Sequence, residues 1–122
     1  MNLRVIKPAL SVCKVPDYSK VNWDDEYLFI GKTDEENSIV CSVGSVPANA
    51  LKRDDGWRAF RIQGVLDFSL IGILSRISTI LAENGIGIFA VSTFNTDYIL
   101  TKEINFSRAV EVMKEHGYVV EE

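Results

Sequence analysis

Two short stretches carry more polar chemistry than their local structure requires. The first is Phe94-Asn95-Thr96-Asp97, set inside VSTFNTDYILT between two apolar, strand-like runs. A hairpin there needs only a turn pair such as Asn-Gly, yet this joint brings an amide, hydroxyls and a carboxylate. The second is LDFSLIG, residues 66–72, directly ahead of a helical pattern. A helix start presents unpaired backbone N–H groups, which together with the helix dipole suit a carboxylate. Asp67 adds an acid beside those donors, and Gly72 lets a ligand or a neighbouring backbone come close. Backbone donors for a carboxylate and an acid for an amine together fit a zwitterion. Plain structural readings stand beside this one. Asp67 is a good N-cap, and Asn and Asp in a turn hydrogen-bond their own backbone. Gly72 within a helical pattern costs about 1 kcal/mol relative to Ala, which favours close packing or a ligand at that position.

The elements that must hold these stretches are clearest in the second half of the chain. In WRAFRIQGV, residues 57–65, Phe60 and Ile62 point one way and Arg61 and Gln63 the other, which predicts a strand. Leu70, Ile73, Leu74, Ile77, Ile80 and Leu81 recur at helical spacing through Asn84, with Asp67 or Ser69 as cap and Asn84-Gly85 as the stop. Strands follow at 86–93 and 97–101. A second helix at 105–116 has Phe106, Ala109, Val110 and Met113 on one face, and residues 118–120 close with a strand. The order β-α-β-β-α-β predicts the ferredoxin-like split βαβ: an antiparallel four-stranded sheet with two helices on one face.

The first half is less regular. PALSVCKV, YLFIGKT and SIVCSVGSV read as three strands, the last two forming a hairpin around the acidic turn DEEN. DYSKVNWDDE is too polar for a packed helix, and its Asp24-Asp25-Glu26 cluster reads as a solvated loop. PANALKRDDG suggests one or two helical turns after Pro47. Element order makes this half a shrunken copy of the second without its first helix, although no residue-level repeat is visible. Asp54-Asp55-Gly56 is the natural boundary, giving units 1–55 and 56–122.

The chain has 122 residues, 47% of them hydrophobic and 25% charged, as befits one ordinary domain or two very small ones. Its formal charge of −4, without a basic stripe, argues against nucleic acid. No apolar run approaches the roughly 20 residues of a membrane span, and MNLRVIKPAL lacks the pattern of a secretion signal. Cys13 and Cys41 read as buried, reduced thiols of a cytoplasmic protein. His116, the only histidine, sits at a helix end with no partner for nucleophilic work or metal binding.

The stretch 64–101, with Asp67, Gly72-Ile73-Leu74, Ile77, LAENGIGIFAVSTF and NTDYIL, resembles the ACT domain, and more narrowly the small tandem-ACT proteins related to aspartate kinase regulatory domains and cytosolic amino-acid sensors. The resemblance covers nearly all of residues 57–122, with the first half fitting only as a degenerate, β-rich ACT-like unit. It implies an α+β, ferredoxin-like fold, no catalysis and no cofactor. It also implies a regulatory or sensor role in which a free amino acid is bound where two ACT units meet, and a homodimer. Carried over, the ligand contacts are Asp67, Phe68, Ser69, Leu70, Ile71 and Gly72 on one side and Thr93, Phe94, Asn95, Thr96 and Asp97 on the other. The commoner ACT pattern, Asp-x-Pro-Gly, is replaced here by an Asp67 five residues before Gly72. Two other classes remain open. One is an oligomerisation module without a ligand, because edge strands invite pairing. The other is a small ferredoxin-like enzyme, for which LDFSLIG lacks the Arg of a phosphate-cradling loop.

Overall fold

Long strands, rather than the helices, organise the chain. A computed structural model of the protein describes residues 1–64 and 72–122. They fold as two units, one of Met1–Lys7 with Arg58–Glu122 and the other of Pro8–Trp57. Strand β1 (Asn2–Val15) and strand β4 (Lys52–Ile62) supply residues to both.

In the unit of Met1–Lys7 and Arg58–Glu122 the elements after β4 are α1 (Ile73–Glu83), β5 (Phe89–Ser92), β6 (Asp97–Lys102), α2 (Glu103–Glu115) and β7 (Val119–Glu121). The β-α-β-β-α-β order is the expected one, and the fold is α+β and ferredoxin-like. The sheet differs from the expected four strands: its order is β7-β1-β4-β6-β5. The N-terminal residues Asn2–Arg4 pair in parallel with Val119–Glu121. Arg4 and Lys7 interrupt the apolar alternation of this segment and hide it as a strand. Arg4 is accommodated because its guanidinium meets Glu121 at 3.4 Å. Pro8 lies between the β7 register, which ends at Arg4, and the antiparallel register with strand β3 (Asn37–Ser42), which begins at Leu10. A residue without an N–H is tolerated at such a change of partner.

The helices cover one face. Phe60 and Ile62 on β4, Leu3 on β1, Ile77 and Leu81 on α1, Ile99 on β6, and Ala109 and Met113 on α2 are buried together. Each large side chain contributes on the order of 1.5–3 kcal/mol by leaving water. The Phe60 and Phe106 rings pack with centroids 6.3 Å apart. Both helices stop in the same way. Ile86 N–H donates to Leu81 O (2.9 Å) and Gly85 N–H to Ala82 O (3.0 Å), while Tyr118 N–H donates to Met113 O (3.1 Å) and Gly117 N–H to Lys114 O (3.0 Å). This is the Schellman pattern that glycine permits. His116 belongs to the second of these ends, its Nδ1 lying 2.9 Å from Val112 O.

The unit of Pro8–Trp57 has the strand order β2-β3-β1-β4, with β2 at Phe29–Lys32. Its core joins Cys13, Val15, Val21, Ile39 and Cys41. Both cysteines are free and buried. Residues 17–26 form no helix, because three side chains each capture the backbone two residues on. Asp17 accepts from Ser19 N–H, Asn22 from Asp24 N–H and Asp25 from Tyr27 N–H. Such Asx bonds compete with helical ones. Asp25 is also no plain solvated residue, since its carboxylate accepts Ser42 N–H and Ser42 Oγ–H, both at 2.8 Å. The helical turns expected after Pro47 reduce to a single turn closed by Ala50 N–H and Pro47 O at 3.1 Å. Asp54-Asp55-Gly56 lies inside β4 rather than in a loop. Arg53 grips Asp55 through Nε (3.1 Å) and Nη2 (2.9 Å), and Ser11 Oγ–H donates to it at 2.7 Å, so an acidic run poor in strand propensity is held extended.

The two hairpins have the same internal geometry, sixty positions apart. Phe29 faces Val40 as Phe89 faces Leu100, and Lys32 faces Asn37 as Ser92 faces Asp97. Both turns begin at a threonine, with Thr33 N–H donating to Glu36 O (3.0 Å) and Thr93 N–H to Thr96 O (2.8 Å). The second strands share one burial pattern, with Ile39, Val40 and Cys41 buried as are Ile99, Leu100 and Thr101. Phe, Thr and Ile at 29/89, 33/93 and 39/99 are the only identities across this stretch, which is why the sequence alone shows no repeat.

Candidate functional site

The 93–96 turn closes the hairpin between β5 and β6. Besides the Thr93–Thr96 backbone bond, Thr93 Oγ1–H donates to Thr96 O at 3.1 Å. Part of the polar content of FNTD is therefore turn chemistry, as Ser/Thr hydroxyls supply in such turns. Thr96 is the exception to the exposure of the tip. Its residue surface is only 7% exposed, and its Oγ1–H donates to Ile62 O at 2.6 Å, fixing the turn to the end of β4. Phe94 stands at the tip with 79% of its surface exposed. Asp97 opens β6 and accepts Ser92 Oγ–H at 2.6 Å.

Thr93, Asn95 and Thr96 form one side of a cavity of about 300 Å³, completed by Arg61, Gln63, Gly64 and Tyr98. The strand period explains the grouping. Arg61 and Gln63 alternate with the buried Phe60 and Ile62, and Tyr98 alternates with the buried Ile99, so all three stand on the face away from the helices. Arg61 Nε–H donates to Gln63 Oε1 at 3.1 Å and Arg61 Nη1–H to Tyr98 Oη at 3.2 Å. The guanidinium carbon lies 5.9 Å from the Tyr98 ring centroid. No carboxylate lines this cavity among the described residues, and Asp97 is not part of it. The strand alternation sets Arg61 and Gln63 on the face opposite Phe60 and Ile62. No local pattern pairs them with a turn about thirty residues further along the chain.

Gly72 is placed elsewhere. It is the N-cap of α1 at φ +82°, without a side-chain cap bond, so the helix begins at Ile73, later than expected; Asp67 and Ser69, the expected caps, lie outside the described residues. A Cβ on Gly72 would meet nothing within 4 Å among the described residues. A left-handed backbone of this kind favours glycine. It borders a second cavity of about 360 Å³ with Met1, Ile73, Arg76, His116, Gly117 and Tyr118. Among the described residues, then, Gly72 and the 93–96 turn line different cavities. Asp67, Phe68, Ser69, Leu70 and Ile71 lie outside the described residues. Among the described residues no group of three or more His, Cys, Asp or Glu side chains is arranged to hold a metal ion, and no helix is long and apolar enough to cross a membrane.

Comparison with known proteins bears on this geometry. The structure is similar to that of a protein from Agobacterium tumefaciens, with 28% identity over 98% of this chain and 90% of the other and a TM-score of 0.82. At 13% identity, a Vibrio cholerae protein of unknown function matches over 91% of this chain and 85% of its own, with a TM-score of 0.69. The regulatory subunit of aspartate kinase from Thermus thermophilus, in its ligand-free form, shares the fold at 9% identity and a TM-score of 0.62, covering 94% of this chain and 97% of its own. No curated protein matches the sequence. The ACT domain family model matches residues 52–115, more than half of the chain, and includes β4, both helices and the hairpin that bears the cavity. The chain belongs to the ACT domain family.

Proposed function

We propose that the protein is a non-catalytic regulatory or sensor module that binds a free amino acid through the unit of Met1–Lys7 and Arg58–Glu122. The observation that carries this reading is the polar cavity in which Thr93, Asn95 and Thr96 of the turn meet Arg61 and Tyr98. It fits the size of a small metabolite, and its walls offer hydroxyl, amide and guanidinium groups that orient a polar ligand. The wider ligand-binding set we propose also takes in Phe94, Asp97 and residues 67–72, beyond the described walls of this cavity. The likeness to an aspartate kinase regulatory subunit supports a role in control rather than chemistry. The matched hairpins support the further proposal of a tandem arrangement, with Pro8–Trp57 as a degenerate ACT-like copy. A cytoplasmic homodimer is the setting we propose for it. Thermal unfolding of the purified protein against each of the twenty amino acids at millimolar concentration tests the reading. A ligand at about 100 times its dissociation constant adds roughly 2.7 kcal/mol and raises the midpoint visibly. If no amino acid moves the midpoint, the sensor reading is wrong.

A second reading, an assembly module without a ligand, is favoured by the exposed apolar side chains of Phe94 (79%) and Ile104 (91%) and by the edge position of β5. Sedimentation of the wild type beside Ile104→Glu distinguishes the two. Assembly lost with the charge, in a protein that no amino acid stabilises, supports this second reading.

A further inference from the structure

We infer that the cavity beside the 93–96 turn receives the anionic group of its ligand on the Arg61 guanidinium, so that the ligands it selects are small acids, acidic amino acids above all, and not basic ones. The inference deepens the amino-acid reading and rests on it for the identity of the cavity as a ligand site.

Charge on the walls is the first ground. The described lining residues are Arg61, Gln63, Gly64, Thr93, Asn95, Thr96 and Tyr98, with one cation and no anion among them. Among the described residues no carboxylate pairs with this arginine. Arg4 meets Glu121 and Arg53 meets Asp55, whereas the partners of Arg61 are the neutral amide of Gln63 and the phenol of Tyr98. On a chain of net charge −4, an arginine facing a cavity without a carboxylate among the described residues attracts anions there and repels cationic side chains.

Geometry is the second ground. Gln63 takes the Nε–H and Tyr98 takes one Nη1–H, which fixes the plane of the guanidinium against two neighbouring strands. Among the described residues no other hydrogen bond is made by this side chain, so the remaining Nη1–H and both Nη2–H groups are available. That end of the fork matches the two oxygens of a carboxylate. Gln63 and Tyr98 are thus positioning residues: they hold the fork still, and less side-chain freedom is lost on binding. The exposed amide of Asn95 stands across the same cavity as a neutral donor. A basic amino acid would need an acid on these walls; among the described residues there is none, and Asp97 of the turn lies outside the cavity and holds Ser92.

The test measures dissociation constants by calorimetry for L-aspartate, L-glutamate, L-asparagine, L-lysine and succinate, using wild type, Arg61→Gln and Asn95→Asp. Arg61 is partly exposed and Asn95 exposed, and circular dichroism confirms that each variant is folded. Asn95→Asp adds an acid to the cavity that Arg61 also lines without removing the guanidinium, so it serves if Arg61→Gln does not fold. The acids should bind wild type at least tenfold more tightly than L-asparagine or L-lysine, and each variant should weaken them at least tenfold. Acids that bind both variants as well as wild type, or L-lysine binding tightest, overturn the inference while leaving the amino-acid reading intact. Conversely, succinate bound in an Arg61-dependent way with no amino acid bound upholds the assignment of Arg61 and defeats the amino-acid reading. If neither the acids nor succinate bind wild type, the inference fails.

Discussion

Thr96 Oγ1 and the carbonyl oxygen of Ile62 are 2.6 Å apart and almost wholly buried, joining the β5–β6 turn to the last residue of β4. The threonine that looks like one more polar residue of a turn is thereby the anchor of the cavity wall. Replacing it with valine keeps the shape and leaves the Ile62 carbonyl without this donor. A buried acceptor left unmade costs about 1–3 kcal/mol. Urea unfolding of Thr96→Val should show a loss in that range with an unchanged m-value. A loss under about 0.5 kcal/mol would mean that the bond contributes little to holding the turn.

The same bond marks the limit of what could be read from the chain. Periodicity located both helices and the later strands, because Ile77, Leu81, Ala109 and Met113 repeat at helical spacing and Phe60 and Ile62 alternate. What stayed hidden depends on partners remote in sequence. Residues 2–7 are a strand because β4, and over Asn2–Arg4 also Val119–Glu121, lies beside them, and Asp54-Asp55-Gly56 is extended within β4 with Arg53 and Ser11 satisfying Asp55. The candidate site divides the same way. The turn at 93–97 was legible from its polar surplus, whereas the Arg61 side of the cavity arises from strand pairing that no local pattern encodes.

Gly72 supplies a direct test of why a glycine stands at the start of α1. At φ +82° an L-residue is strained, and among the described residues open space surrounds the missing Cβ. Gly72→Ala should therefore destabilise by about 1–2 kcal/mol, the cost of a left-handed conformation, and Gly72→Asn by less, since Asn tolerates that region. Equal costs for the two, or a larger one for Asn, would point to crowding instead. Chemical denaturation of both variants decides it.

Asp25 holds the connection between β1 and β2 to the end of β3. Its carboxylate accepts Tyr27 N–H, Ser42 N–H and Ser42 Oγ–H. Hydrogen bonds to a charged acceptor are worth about 1.5–3 kcal/mol, so Asp25→Ala should lose at least that range's lower bound. Its neighbour Asp24 makes no such bonds through its side chain among the described residues, and Asp24→Ala should change stability by less than about 0.5 kcal/mol. The contrast between adjacent acids, read from guanidinium chloride midpoints, checks that Asp25 is structural and not merely solvated.

Cys41 gives the protein an alkaline limit. Burial, reinforced by the neighbouring Cys13 thiol and the Asp25 carboxylate, pushes its thiol up to about 12 from an ordinary value of 9.0. The folded state holds this proton more tightly than the unfolded state. Below about pH 9 both states are protonated and the contribution is fully present. As pH rises towards 12, the unfolded chain ionises first and the contribution drains away, at a slope of at most about 1.4 kcal/mol per pH unit. Other groups titrate in the same range, so the comparison that isolates the thiol is Cys41→Ala against wild type in urea at pH 8, 9 and 10. The variant should be less stable at pH 8, because it leaves a cavity. Its deficit should then narrow as pH rises, since alanine has no proton to lose. A deficit that stays constant with pH would show that Cys41 does not carry the shift. Thiol-specific labelling gives an independent check: native Cys41 should resist modification at pH 8 and react only once the chain is unfolded, because the thiolate is the nucleophile and burial suppresses it.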